Sequence, residues 1–265
     1  MKQWILSGIE SVGNRTLYAL DSLYEALHFT FICLWHAIRP QSYHAAMRSV
    51  LVKQIYFTAV EVFPLFLFIG VLFGSVITGY VVSLAVDFSL QEEIGTILVG
   101  FVMNEFAPFF TVMLIALRSG TAINTEIAVM HVNNELSTLK AFRIDVIDYL
   151  FLPRIIGGIV SIILLSALFA IIMLFSGYLF SALFLRMDIE LYLHTLTQAV
   201  TVADFLVLLG KSAAFGFFAT LIPIYSGLKS DHAMSDIPIS VRNGMVRLFI
   251  AIFSIEVITL ALQSL

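Results

Sequence analysis

Two stretches decide what this chain can become. Val62 to Val86 runs 25 residues without a charge, and Ile155 to Leu185 runs 31. About 20 apolar residues suffice to cross the hydrocarbon core of a bilayer, where each backbone N–H and C=O must find its partner inside the helix. Three more stretches have this character: Ile94 to Leu117, interrupted by Asn104 and Glu105; Phe205 to Leu228, around Lys211; and Leu248 to Leu265, around Glu256. The expected fold is an all-α integral membrane protein with five transmembrane helices. Composition closes the alternatives, since 60% of residues are hydrophobic and 12% charged, against about 25% charge in a soluble domain. A water-soluble body of this size could not hide that much apolar side chain. The single cysteine, Cys33, excludes an intrachain disulfide, and a net charge of −4 with no basic cluster excludes a nucleic-acid partner.

The loops set the orientation. Lys2, Arg15, Arg39, Arg48 and Lys53 precede the first span, Arg118, Lys140, Arg143 and Arg154 follow the second, and Lys229, Arg242 and Arg247 follow the fourth. Opposite them stands Arg186 alone. The positive-inside rule then puts the N-terminus in the cytoplasm and the C-terminus outside. Residues 1–50 form a separate region ahead of a membrane domain at 51–265. Within it Leu20, Leu23, Tyr24, Leu27, Phe31, Leu34, Trp35 and Ile38 fit a stripe about 120° wide. That stripe predicts an amphipathic helix in the cytoplasmic interface or packed on another subunit. No signal peptide and no internal repeat is visible.

Ionisable side chains at membrane depth are costly and face a protein interior or a water-filled cavity. Glu105 lies about 16 Å from the outer end of its span, and Lys211 about 9 Å from the same side with a stem that reaches further. A Glu105–Lys211 pair is expected, either as a polar element of a substrate cavity or as an ion pair that fixes packing. Glu61 and Glu256 read as cavity-edge carboxylates nearer the cytoplasm. Gly210-Lys211-Ser212 is not a phosphate-binding loop, because that motif needs glycine where Phe205 stands. No nucleophile–base pair is apparent, and the six histidines show no metal-ligand spacing. The chain reads as a transporter subunit rather than an enzyme, with no cofactor. Between the second and third spans, Ala122 to Ala141 reads as a cytoplasmic helix with the apolar stripe Val129, Val132, Leu136 and Leu139. The stripe is expected to pack on the chain's own N-terminal helix or to dock into a separate cytoplasmic protein.

These residues carry a resemblance. Asn104-Glu105-Phe106-Ala107-Pro108 is similar to the R-E-L-G-P stretch of the MlaE/YrbE permeases. Ala116-Leu117-Arg118-Ser119-Gly120-Thr121-Ala122, continuing to Glu126-Ile127-Ala128-Val129-Met130, resembles A-G-R-x-G-x-A-x-x-x-E-(L/I)-G-x-M. Val132-Asn133-Asn134-Glu135-Leu136 with Leu139, Asp145, Tyr149 to Arg154, and Lys211 to Gly216 match four later elements in order. Departures are Asn104 for arginine, Asn134-Glu135 for an E-Q pair, Val146 for proline, and Met234 to Pro238 for a glycine-rich stretch. The resemblance implies a homodimeric permease in the bacterial inner membrane that moves phospholipid or a related lipid. It implies a cytoplasmic ABC ATPase docking through Arg118, Glu126, Met130, Asn134, Glu135, Leu136 and Leu139. A periplasmic MCE-domain protein, and a small STAS-type regulator in some complexes, would complete the assembly. Asn104, Glu105, Lys211, Glu61 and Glu256 are then the cavity charges, and Gly70, Gly74 and Gly79 either open a groove or allow close helix packing. The competing reading is an ion-coupled secondary transporter or ion-conducting subunit using the four ionisable residues as a relay. Five spans without an inverted repeat count against it.

Overall fold

The computed structural model describes residues 24–39, 42–43, 45–184, 188–230 and 233–263. Among these every regular element is a helix. Helix α1 covers residues 24–38, and the expected stripe positions Leu20 and Leu23 lie outside the described residues. The remaining helices are α2 (Met47–Asp87), α3 (Ile94–Val132), α4 (Glu135–Ala141), α5 (Ile147–Phe184), α6 (Ile189–Ala199), α7 (Val202–Leu228) and α8 (Met234–Gln263, opening on one 3-10 turn). Five of them, α2, α3, α5, α7 and α8, are long and apolar enough to cross a membrane.

Helix α5 is the central strut. Half of its most apolar window is buried, against 22% for α2 and 17% for α8, so α2 and α8 turn most of their apolar surface outward. Small residues let the neighbours come close. A Cβ on Gly74 would stand 2.0 Å from Ser176 Oγ and 2.5 Å from the Met173 carbonyl. Gly70 and Gly79 likewise meet Ile172 and Phe180 of α5. The three glycines therefore serve close helix packing rather than an open groove. Beside them a ladder of rings fills the bundle: Phe106 on Phe110 at 5.4 Å, Phe110 on Phe169 at 5.4 Å, and Phe73 edge-on to Phe110 at 4.9 Å. Offset and edge-on contacts of this kind add to the burial of large apolar area.

The structure departs from the expected boundaries in two places. The second span does not stop at Leu117 before a new helix; α3 runs unbroken into the segment between the spans as far as Val132. The break comes at Asn134, whose left-handed φ of 59° suits a residue that tolerates that region better than most. The last span starts 14 residues before Leu248, so α8 is much longer than the charge-free stretch that marked it.

Helix α1 lies against the ends of the spans on the side of the basic loops. Cys33 is buried, and Phe29 packs on Phe151 and Tyr225. Leu27, Phe31, Leu34 and Trp35 face outward and remain exposed. Glu25 pairs with Lys229 at the end of α7, and His36 Nδ1 lies 2.7 Å from Asp148 Oδ1 at the start of α5. The Lys229 hydrogen bond holds Glu25 below the usual carboxylate range and raises Lys229 in turn.

Candidate functional site

The site begins with a proline. Pro108 has no N–H to return to the carbonyl of residue 104, and the helix around it widens into π turns from Val99 to Phe106. The carbonyl left over accepts a hydrogen bond from Lys211 Nζ at 3.2 Å. The same nitrogen is ion-paired to Glu105, and Glu256 Oε2 lies 3.0 Å from it, outside hydrogen-bond angles. Lys211 is 3% exposed, and the Glu105 and Glu256 side chains are 20% and 16% exposed. One ammonium on α7 thus joins carboxylates from α3 and α8, within a bundle whose other walls are largely apolar.

One further member, Asp204, was not anticipated. Asn104 Nδ2 donates to Asp204 Oδ1 at 2.7 Å. Asp204 closes a capping box with Thr201, accepting from the Thr201 N–H at 2.8 Å and from its hydroxyl at 2.7 Å. Helix α7 therefore begins at the level of Asn104, where the first N–H groups of the helix require internal partners. The T-x-x-D spacing before an apolar run was the available signal. Glu256 also stands elsewhere than expected: because α8 begins at Met234, this residue lies deep in the bundle beside Lys211 rather than near the cytoplasm.

Two carboxylates share one ammonium. Glu105 Oε1 and Asn104 Oδ1 have no hydrogen-bond partner among the described residues. The cluster is therefore both a brace, tying three spans at one depth, and a polar spot with unfilled bonding capacity in an apolar wall.

Glu61 is not part of it. It pairs with Arg118 at 3.1 Å on the basic-loop side of α2 and α3, and both side chains are about half exposed (49% and 45%). Of the segment expected to couple to an ATPase, Glu126 is paired with the buried Arg154. Leu136 is buried with Ile123, Ile127, Val146 and Phe151, and Met130 and Leu139 are partly covered by the same cluster, which reaches Cys33 and Phe29 of α1. Leu136 and Leu139 of the apolar stripe are thus covered by the chain's own helices, while Val129 and Val132 are half-buried outside that cluster. Asn134, Glu135 and Lys140 remain exposed at the elbow, beside Phe142 at 73% exposure.

The family model described as Permease MlaE matches residues 51–262. The chain is 28% identical over 226 residues to a probable ABC transporter permease protein of Rickettsia felis, covering 85% of this chain and 86% of that one. It is 29% identical over 181 residues to the intermembrane phospholipid transport system permease protein MlaE of Haemophilus influenzae, covering 67% and 69%. A probable ABC transporter permease of Synechocystis sp. is 28% identical over 180 residues, covering 68% of each chain.

Proposed function

The chain belongs to the MlaE permease family, and from that premise we propose that it is the permease of an ABC transporter moving phospholipid between the inner membrane and a periplasmic MCE-domain protein. ATP hydrolysis belongs to a separate cytoplasmic chain. The observation that carries this reading is the Glu105–Lys211–Glu256 cluster set in an apolar, Phe-lined bundle. Acyl chains need apolar walls, and a headgroup needs few polar contacts to be oriented. An ion relay would use the same carboxylates, but family membership favours the permease.

The functional unit is a homodimer. Each chain has residues 51–265 as its membrane domain and residues 1–50 as a membrane-surface region. Helix α1 lies in the cytoplasmic interface, with Leu27, Phe31, Leu34 and Trp35 toward lipid. The N-terminus is cytoplasmic and the C-terminus periplasmic, as the Lys and Arg distribution requires. The ATPase docks on the elbow after α3, with Asn134, Glu135 and Phe142 as its exposed contacts and the buried Leu136 and Leu139 holding the elbow rigid. Arg118, Glu126 and Met130 carry its movement back into the spans. A small STAS-type regulator would act on that ATPase.

Purification in mild detergent from cells expressing the neighbouring subunits tests the reading. An ABC ATPase should co-purify with the native chain and be lost from Phe142→Asp at unchanged permease level. A chain that purifies as a lone, ion-conducting oligomer would favour the relay.

A further inference from the structure

A second polar pocket, of about 280 Å³, opens between α2 and the cytoplasmic extension of α3. It is lined by Gln54, Phe57, Thr58, Glu61, Arg118 and Glu126, among others. Its depth follows from helix rise: Arg118 lies 24 residues from Ile94, about 36 Å, and Glu61 lies 26 residues from Asp87, about 39 Å. A hydrocarbon core of about 30 Å ends short of both, so the pocket stands in the headgroup layer on the side of the basic loops. Wide π turns shape both walls, at Tyr56–Val60 and Ala116–Gly120, a distortion that recurs at functional sites. The Glu61–Arg118 pair is half exposed and therefore open to exchange for a ligand's charges. Gln54 donates to Thr58 within the same wall at 3.0 Å.

The lining offers Glu61, Glu126 and Arg118, and the charges balance once Arg154, buried behind the wall, is counted: Glu61 faces Arg118, and Glu126 faces Arg154. A net-neutral pocket with both signs on offer complements a headgroup that is itself zwitterionic and disfavours one of net negative charge. We propose that this pocket binds the headgroup of a zwitterionic aminophospholipid, its phosphate on Arg118 and its ammonium on Glu61 and Glu126. The inference rests on the phospholipid reading above and adds the headgroup class and a cytoplasmic-leaflet site distinct from the Lys211 cluster. A primary ammonium donates hydrogen bonds to the carboxylates, which a quaternary one cannot do. Phe57 and Ala122 form an apolar edge beside the charges.

The full chain in nanodiscs of equimolar phosphatidylethanolamine, phosphatidylcholine and phosphatidylglycerol with matched acyl chains is the test, with retained lipid counted by native mass spectrometry. Phosphatidylethanolamine should be enriched roughly three- to fivefold over each of the others, the scale of a partly exposed ion pair. Glu61→Gln with Arg118→Gln should bring the ratio near one. Ala122→Trp, which fills the pocket and leaves its charges in place, should do the same and covers the case in which the double variant misfolds. No enrichment in the native chain, enrichment of phosphatidylglycerol, or enrichment that survives Ala122→Trp overturns the proposal. ATP-driven lipid transfer is measured separately, so its presence without headgroup preference would overturn this inference alone.

Discussion

Lys211 holds two carboxylates, and that asymmetry sets what each substitution does. Glu105→Gln leaves the ammonium its Glu256 partner, whereas Lys211→Met leaves Glu105 and Glu256 facing each other in the bundle. Breaking a buried pair by removing one partner costs roughly 3–5 kcal/mol when burial is complete, and less where a cavity is hydrated. Lys211→Met should therefore lower the thermal midpoint of the detergent-solubilised protein more than Glu105→Gln, and adding Glu105→Gln to Lys211→Met should recover part of the loss. Equal, additive shifts would show that the three residues act independently. The sequence already marked Glu105 and Lys211, because ionisable residues inside apolar runs stand out. It hid Asp204 and misjudged Glu256 for a common reason: charge-free stretches locate a span but not where its helix begins. Asp204 needed α7 to start inside the bundle, and Glu256 needed α8 to start at Met234.

Helices in lipid gain no hydrophobic drive from each other, so contact geometry decides their association. The crossing of α2 on α5 at Gly74 has no room for a methyl group, with the Met173 Cα at 2.7 Å from the position it would take. Gly74→Ala should destabilise the bundle by about 1–3 kcal/mol, the usual cost of overpacking, seen as a lower unfolding midpoint in detergent. Gly210→Ala, with nothing within 4 Å of its added carbon, is the control and should change little. Helix α1 is held differently, through Glu25–Lys229 at one end. Glu25 is lowered, so its contribution is present above the unfolded value of 4.5 and is lost as pH falls through its folded value. Lys229 is raised, so its contribution is full below 10.5 and is lost as pH rises through its folded value. Amide-exchange protection over residues 24–38, taken relative to the intrinsic rate at each pH, should be greatest near neutral pH and fall toward acid, and Glu25→Gln should shrink that acid-side loss, leaving the part due to His36–Asp148. An acid-side loss of the same size in that variant would place the attachment elsewhere. That residues 24–38 form a helix was legible from spacing alone. The unbroken run of α3 past its apolar stretch was not, since Arg118, Ser119 and Gly120 read locally as a helix end while packing carries the helix through them.

At the scale of the molecule, five spans were legible in the apolar runs because the bilayer fixes their length. Which faces meet was not, because apolar residues surround every helix and only contact shows which are covered. Orientation is open to labelling. Ser137 and Gln198 are exposed on opposite sides of the bundle as the spans thread it, and the native Cys33 is buried, with burial pushing its thiol up to about 12. It should stay silent to maleimide at neutral pH. Ser137→Cys should label only after the inner membrane is opened, and Gln198→Cys in intact spheroplasts. The proposed role, a permease that passes phospholipid under the action of a partner ATPase, is tested in proteoliposomes. The purified complex would hold a fluorescent phospholipid and face the MCE-domain protein as acceptor or donor. Lipid exchange should require ATP and fall at least about tenfold in Lys211→Met, a loss equivalent to about 1.4 kcal/mol. Exchange at equal rate without ATP, or none with the complete complex and ATP, would contradict that role.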